Sequence, residues 1–472
     1  MRGVRGFLFA SGIALFFAVP FARAQGAPTP ANAPAAVVVA PAATESAGTQ
    51  GLSELRTELA RQSAELARQR AELDAIEKPK AAPSDPSVRF SGYTQIDFVL
   101  HDQSSQNEID YATNTPLNQD RFTLRRGHVR VDVEQGLISG ALELDANTTN
   151  GPQVRPIDAE VAVHWPAQPN EKLPTASLSA GLMKIPFGFE VPELDYVRPF
   201  LERSNVARAL FPGEFDLGAE ARLSYRFLDL AVALMNGHPI GDRVFPALAP
   251  DAHKEIVGRV GARTEIVAGV AFDFGISADT GRGFHEGTPS TKDVLVWRDE
   301  NGDGVVQATE VQVIPGSSAT ASQEFNRFAV GADARFGVHL IPGYGFDLRA
   351  EVVRASNLDR GLEPADPIGA GYDLRELGWY VGATQELTKY GLIGLRYDRY
   401  DPDQDAREQS AAQVVPRDRS YSTLALLAML RYGRARLSFE YDVNRNELGR
   451  DASGAPTNLK SDAATLRGQV VF

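Results

Sequence analysis

The chain contains no cysteine. Disulfides and thiolate metal sites are therefore excluded. It has only seven histidines, scattered, with none in a metal-ligand spacing such as H-E-x-x-H. No G-x-S-x-G nucleophile elbow occurs. Beyond the N-terminal region no apolar run approaches the ~20 residues that a membrane helix requires. Mean hydropathy is −0.23, too polar for a helical membrane protein but suited to a barrel with a wet interior. Basic excess is also absent. A formal net charge of −13 argues against nucleic acid as a partner.

What is present begins at the two ends. The first residues, MRGVRGFLFASGIALFFAVPFARAQ, carry Arg2 and Arg5, an apolar run from Phe7 to Val19, and a small-x-small site at Ala22-Arg23-Ala24. This is the pattern of a secretory signal peptide over 1–24, with cleavage expected after Ala24. The last residues, DAATLRGQVVF, place Ala464, Leu466, Gly468, Val470 and Phe472 on one strand face. Thr465, Arg467 and Gln469 take the other face. An apolar-out, polar-in final strand suits the closure of a membrane barrel. Its terminal Phe472 resembles the signal that outer-membrane proteins present to the barrel-assembly machinery.

Residues 25–50 are Ala/Pro-rich with little charge and read as a linker. In 51–78, Leu52, Leu59, Leu66 and Leu73 repeat every seven residues, with Leu55, Gln62, Gln69 and Ile76 at the partner positions. This predicts a short coiled-coil helix ending before Pro79. Residues 79–87 form a second spacer. From 88 to 472 the period changes to two. In ARLSFEYDVN, for example, Ala435, Leu437, Phe439, Tyr441 and Val443 alternate with polar residues. Sixteen such segments are expected, near 88–100, 121–134, 138–147, 155–165, 176–185, 217–226, 228–236, 255–265, 268–279, 325–338, 344–354, 376–386, 391–400, 420–431, 435–445 and 462–472.

The connections alternate in length. Tight turns are expected at Phe227, at Ile266-Val267, at Glu386–Tyr390 and at Tyr432–Arg434, with 166–174 the longest on that rim. The opposite rim carries long loops such as 101–120, 237–254, 280–324 and 401–419. That is the plan of a 16-stranded antiparallel transmembrane β-barrel, all-β apart from the N-terminal helix, enclosing an aqueous channel. An even strand number puts the short turns and the coiled coil in the periplasm, with the barrel in the cell outer membrane against its lipid.

Alternation points Arg126, Arg130, Arg222, Arg259, Arg263, Arg335, Arg349, Arg396, Arg436 and Arg467 into the lumen. Asp97, Asp132, Asp158, Glu160, Glu220, Asp273, Asp333, Asp347, Glu351, Asp398, Glu440 and Asp442 point the same way, so many of these charges will pair. Arg126 with Arg130, and Arg259 with Arg263, offer the basic positions for anion passage. In the longest outer loop, DENGDGVVQATE matches the ligand order of an EF-hand. Asp299, Asn301 and Asp303 would supply side-chain oxygens, Val305 a carbonyl, Gln307 a side chain or a water, and Glu310 both carboxylate oxygens. VLVW before it and VQVI after it read as a β-ribbon, so a structural Ca²⁺ ion is expected there rather than a sensor.

The stretch from Gly181 to Tyr225, GLMKIPFGFEVPELDYVRPFLERSNVARALFPGEFDLGAEARLSY, resembles the signature of the phosphate-selective porin O and P family. RFTLRRGHVRVDVEQG at Arg121–Gly136 and RYDRYDP at Arg396–Pro402 fit as well. The coiled-coil extension is similar to that of dicarboxylate-type porins. The resemblance implies a homotrimeric porin conducting small anionic solutes, phosphate or carboxylates. It also implies that the third long loop, 186–216, folds inward and sets a constriction. Pore-lining candidates there are Lys184, Arg198, Arg203 and Arg208, since charge at a constriction sets selectivity. The phosphate-selective members use an unopposed run of basic residues, which this chain lacks.

Two other readings remain from different classes. An outer-membrane barrel hydrolase would need a Ser–His–acid constellation, which the sequence does not display. A trimeric surface adhesin would share one barrel among chains, whereas this chain has strands enough of its own. A gated transporter would need a plug, and 25–87 is too short and simple for one. With no nucleotide loop or redox motif, the expected activity is passive conduction without catalysis.

Overall fold

The computed structural model describes residues 61, 62, 65 and 86–472, less 103–104, 110–115, 150, 167–172, 242–252, 411–412 and 454. The chain divides into two units, Met1–Pro79 and Lys80–Phe472. Of the first, Arg61, Gln62 and Glu65 are described, and all three are helical. The rest of the expected coiled coil lies outside the described residues, as do the signal peptide and the first linker.

In the second unit, alternating segments pair into a closed antiparallel barrel of sixteen strands. In chain order they are β1 (Ser87–His101), β2 (Arg121–Gln135), β3 (Ile138–Asn147), β4 (Gln153–Trp165), β5 (Thr175–Lys184), β6 (Phe215–Tyr225), β7 (Leu228–Met235) and β8 (Glu255–Val267). They continue with β9 (Val270–His285), β10 (Gln323–Val338), β11 (Phe346–Ser356), β12 (Arg375–Glu386), β13 (Gly391–Asp401), β14 (Tyr421–Tyr432), β15 (Ala435–Arg445) and β16 (Ala463–Val471). Each strand pairs with its sequence neighbours, and β1 pairs with β16 from Tyr93↔Val471 to His101↔Ala463. Closure leaves no open sheet edge, which lipid would not tolerate.

The C-terminal residue completes the seam. Phe472 N donates to Gly92 O at 2.9 Å, and Gly92 N donates back to Phe472 O at 3.1 Å. The Phe472 ring lies over Gly92, where an added Cβ would fall 2.7 Å from Cζ. Glycine at 92 is what admits the ring.

One strand face is apolar and exposed, as in Phe328, Val330 and Val352 or Leu437, Phe439 and Tyr441. The other carries Asp97, Arg126, Asp333, Glu351, Arg396, Glu440 and Arg467, all buried inside. A two-residue period thus produces a lipid wall and a polar lumen from one chain. Aromatic pairs mark both rims on the outer face. Phe98–Phe122 and Trp379–Tyr397 stand at the long-loop end, with centroids 4.4 and 5.5 Å apart. Tyr390–Tyr432 stands at the short-turn end at 6.4 Å.

Two expectations about connections need correction. The turn after β8 lies at 268–269, not at Ile266-Val267, because Gly269 alone takes the positive φ (+81°) that the reversal needs. The connection from β3 to β4, residues 148–152, is short although it lies on the long-loop rim. In the longest loop Val294–Trp297 pairs with Val311–Ile314, giving the expected ribbon.

Candidate pore constriction

Residues 185–214, between β5 and β6, turn into the barrel instead of standing on its rim. Their sequence explains why. Ile185, Phe187, Val191, Val206, Ala207, Leu210 and Phe211 are too apolar for a solvated loop, and all are buried. They pack on Val257 of β8, Ala329 of β10, Val353 and Ala355 of β11 and Tyr400 of β13, which face the lumen. Phe200 makes a second contact with Leu392, Ala425, Leu427 and Met429. A short helix, α1 (Asn205–Leu210), forms inside the loop. Its N-cap is Ser204, whose hydroxyl accepts from Ala207 N.

Polar contacts carry the loop across to the β15–β2 wall. Arg467 Nη1 donates to Leu201 O at 2.6 Å, and Leu201 N donates to Glu440 at 3.0 Å. Gln469 donates to Tyr196 O at 3.1 Å, and Arg126 Nε stands 3.3 Å from Asp195. Glu202 sits at the convergence. It accepts from Arg125 through two 2.8 Å bonds, from Arg126 at 3.3 Å and from Arg467 at 2.8 Å. Desolvation would raise the Glu202 carboxyl, but these three guanidiniums outweigh it and hold the group well below the ordinary range. Asp195 is likewise held low by Arg126 and Arg198 against its burial.

Arg125 was not among the residues expected inside, because strict alternation assigns it to lipid. A register shift where Gln95 pairs with Arg126 and Ile96 with Leu124 leaves Arg125 as an extra residue and turns it inward. The signal was legible. A lipid-facing arginine costs about 2–4 kcal/mol near the midplane, so adjacent arginines within a strand imply a bulge.

The predicted loop cations fall into two classes. Arg198 is buried against Asp195 and Glu193, and Arg203 against Glu214 and Phe211 O. Lys184 holds the root of the loop, donating to Glu193 O at 2.7 Å and Glu214 at 2.8 Å. Arg208 alone of these is exposed. The inward loop is thus held by residues of β8, β10, β11, β13, β14, β15, β16 and β2, whereas Arg130, Arg222, Arg259 and Arg263 make no hydrogen bond or ion pair with it among the described residues.

For each of these four arginines the guanidinium is more exposed than the acid it pairs with. Arg263 is 70 % exposed and its partner Asp273 14 %. Arg222 is 50 % exposed over Glu220 at 4 %, and Arg130 27 % over Asp158 at 11 %. Arg259 covers Asp333 in the same way. Below the loop a recess of about 240 Å³ is lined by Phe189, Pro192, Glu193, Arg259, Arg263 and Asp273, among others. The Arg335 and Arg349 guanidiniums lie 5.9 and 5.4 Å from the Phe189 ring centre.

A second loop braces the first. Arg360 N and Gly361 N both donate to Ala209 O at 2.9 Å, and Arg360 pairs with Glu255. A Cβ on Gly361 would lie 2.2 Å from Arg208 O, so only glycine allows this approach.

The acidic loop outside lies apart from this constriction. Asp299 accepts from Gly302, Asp303 and Gly304 N, and Asp303 from Val305 N and from the Asn301 and Gln307 amides. Gly302 and Gly304 take positive φ. Glu310 turns away to accept from the Trp297 indole at 3.1 Å. In this conformation Asp299, Asn301 and Asp303 stand together and Glu310 does not join them. Among the described residues no group of three His, Asp or Glu is arranged as metal ligands.

No family model and no curated protein sequence matches the chain. Solved structures do. The outer-membrane channel DcaP of Acinetobacter baumannii is similar at TM-score 0.50 and 10 % identity, over 83 % of this chain and 98 % of that one. The fold is shared with outer-membrane channels. OprB of Pseudomonas putida is similar at TM-score 0.49 and 10 % identity, over 82 % of this chain and 94 % of its own. An anion-selective porin from Comamonas acidovorans is similar at TM-score 0.48 and 9 % identity, over 82 % and 100 %.

Proposed function

We propose that this chain is a passive outer-membrane porin that conducts small anionic solutes. The observation that carries the reading is the layering of four ion pairs on the wall from β2 to β10. Formal charges there nearly cancel, but the guanidiniums of Arg130, Arg222, Arg259 and Arg263 are the groups presented to water. An anion meets the guanidinium N–H groups that these ion pairs leave free, while the carboxylates paired to them are the less exposed partners. The preference is for carboxylates and phosphates as a class, without dedicated phosphate specificity. Swelling of proteoliposomes in isosmotic solutes tests this. Small carboxylates should enter faster than cations of equal size, and the reverse order would overturn the reading.

Three further assignments belong to the same proposal. The assembly is a homotrimer, helped by self-association of the heptad segment on the periplasmic side. Phe472 and the β16 face are what the assembly machinery reads. The loop Asp299–Glu310 takes a structural calcium ion, which would draw Glu310 from Trp297 and neutralise clustered carboxylates. The donor set fits a hard cation, since all candidate ligands are oxygens.

A further inference from the structure

The lipid-facing wall is not uniform at its outer rim. On β1–β8 the outward residues nearest the long loops are apolar: Leu100, Phe122, Leu144, Val154, Leu234 and Ile256. On β11–β15 the same level carries arginines. Arg354 alternates with the lumen-facing Val353 and Ala355 and is exposed, so it points outward beside Val330 and Leu377. Arg399 stands in register with Trp379 on one side and Ser422 on the other, and Ser422 in turn with Arg445. Arg445 continues the outward row of Phe439, Tyr441 and Val443. Neighbouring strands lie about 4.8 Å apart, so Arg399 and Arg445 are about 10 Å apart on one rim.

The Trp379–Tyr397 pair fixes the depth of this patch. Paired aromatic rings on the outer face sit at the headgroup level of a membrane. Arg399 adjoins that pair and Arg354 lies a residue pair further out, so the guanidiniums stand among headgroups rather than chains. The guanidiniums of Arg354 and Arg445 make no hydrogen bond or ion pair among the described residues. Arg399 shares its charge with Asp418 at 3.1 Å, a side chain that is 68 % exposed. The nearby Asp401 accepts from Asp403 N.

We propose that the outer rim of the β11–β15 wall is a binding surface for phosphate-bearing lipid headgroups of the outer leaflet, held by Arg354, Arg399 and Arg445. Guanidinium forks match phosphate oxygens, and at headgroup depth they lose little water to do so. Charge complementarity selects the occupant, because a zwitterionic headgroup would place its own cation against the same arginines. The same asymmetry directs this wall toward lipid and leaves the apolar outer face of β1–β8 for contact between copies. The inference rests on the membrane reading of the barrel and not on which solute it conducts.

Native mass spectrometry of the full-length protein in detergent, titrated with diphosphoryl lipid A, tests it. Wild type should retain the lipid as discrete adducts, with phosphatidylcholine and fully dephosphorylated lipid A binding far less. The variant Arg354→Gln/Arg399→Gln/Arg445→Gln should bind about tenfold more weakly or worse. Arg226→Gln, in a turn on the opposite rim, should bind as wild type does. Unchanged channel conductance of the triple variant shows that it is folded. Should it fail to fold, the single variants Arg354→Gln and Arg445→Gln carry the comparison. Equal lipid A binding by wild type and the arginine variants would overturn the proposal. So would an equal loss in Arg226→Gln, or wild-type binding that is indifferent to phosphate.

Discussion

Arg125 and Glu202 form a two-point pair, with Nε and Nη2 each 2.8 Å from a carboxylate oxygen. This pair joins a bulge in the β2 wall to the far reach of the inward loop. Removing the Glu202 charge leaves Arg125, Arg126 and Arg467 together without their shared anion. Glu202→Gln should therefore loosen the loop, raising single-channel conductance and open-channel noise. Arg125→Gln should do less, because two guanidiniums remain. Equal, unaltered traces from both variants would show that the loop is held by its apolar contacts alone.

The three loop arginines should not behave alike. Arg208 is exposed, so Arg208→Glu should shift the reversal potential toward cations while the fold stays intact. Arg198 and Arg203 are buried in ion pairs, and breaking such a pair by removing one partner costs roughly 3–5 kcal/mol. Arg198→Gln and Arg203→Gln should lower the heat-modifiability transition of the folded barrel. Arg222→Glu and Arg263→Glu, on the open wall, should move selectivity most. Identical shifts from buried and exposed positions would contradict this division.

Three carboxyls in the loops give pH dependences of two opposite kinds. Glu202 and Asp195 are held below their ordinary values, so their stabilisation is present above about pH 4 and is lost only as pH falls through the depressed folded values. Asp359 is the reverse case. Burial raises it to about 6, although Tyr400 and three backbone N–H groups donate to it. Its folded form binds the proton more tightly, so stability is greatest below about pH 4 and declines as pH rises through about 6. Exchange protection of residues 357–366, corrected for intrinsic rates, should fall between about pH 4 and 6 and level off above that, and Asp359→Asn should remove the slope. The conductance should stay constant over the same interval.

Calcium should protect the outer ribbon. With millimolar calcium, in the ~10⁻⁴–10⁻³ M range of extracellular sites, protease nicking near residue 300 should slow. Glu310→Gln should abolish that protection. Unchanged nicking in wild type would leave the segment a solvated turn, consistent with Glu310 remaining on Trp297.

The barrel was largely legible in the chain. All sixteen strands follow from two-residue alternation, since lipid outside and water inside impose opposite chemistry on adjacent residues. The inward loop was legible only through its resemblance, although Phe187, Val206, Leu210 and Phe211 give a physical reason for it. Its internal pairing was not legible. Arg198 and Arg203 look like Arg208 in a linear chain, and only the fold decides which of them meets Asp195 or Glu214. Arg125 was missed because alternation carries no information about bulges. The layering of Arg222 over Glu220 was also hidden, for a count of charges records their sum and not which one meets water.

For the heptad segment, a peptide spanning residues 51–78 should show helicity that rises with concentration, and Leu59→Asp with Leu66→Asp should abolish the rise. Helicity independent of concentration would make the segment a solvated spacer. Barrel insertion should survive the same changes in the full chain, because the β1–β16 seam is untouched.

The central claim is passive conduction with preference for anions. Its most direct test is single-channel recording of the purified protein in planar bilayers under a potassium chloride gradient. The account predicts ohmic steps grouped in threes and a reversal potential displaced toward that of chloride. Silent bilayers at high protein input, or a reversal potential displaced toward that of potassium, would contradict it.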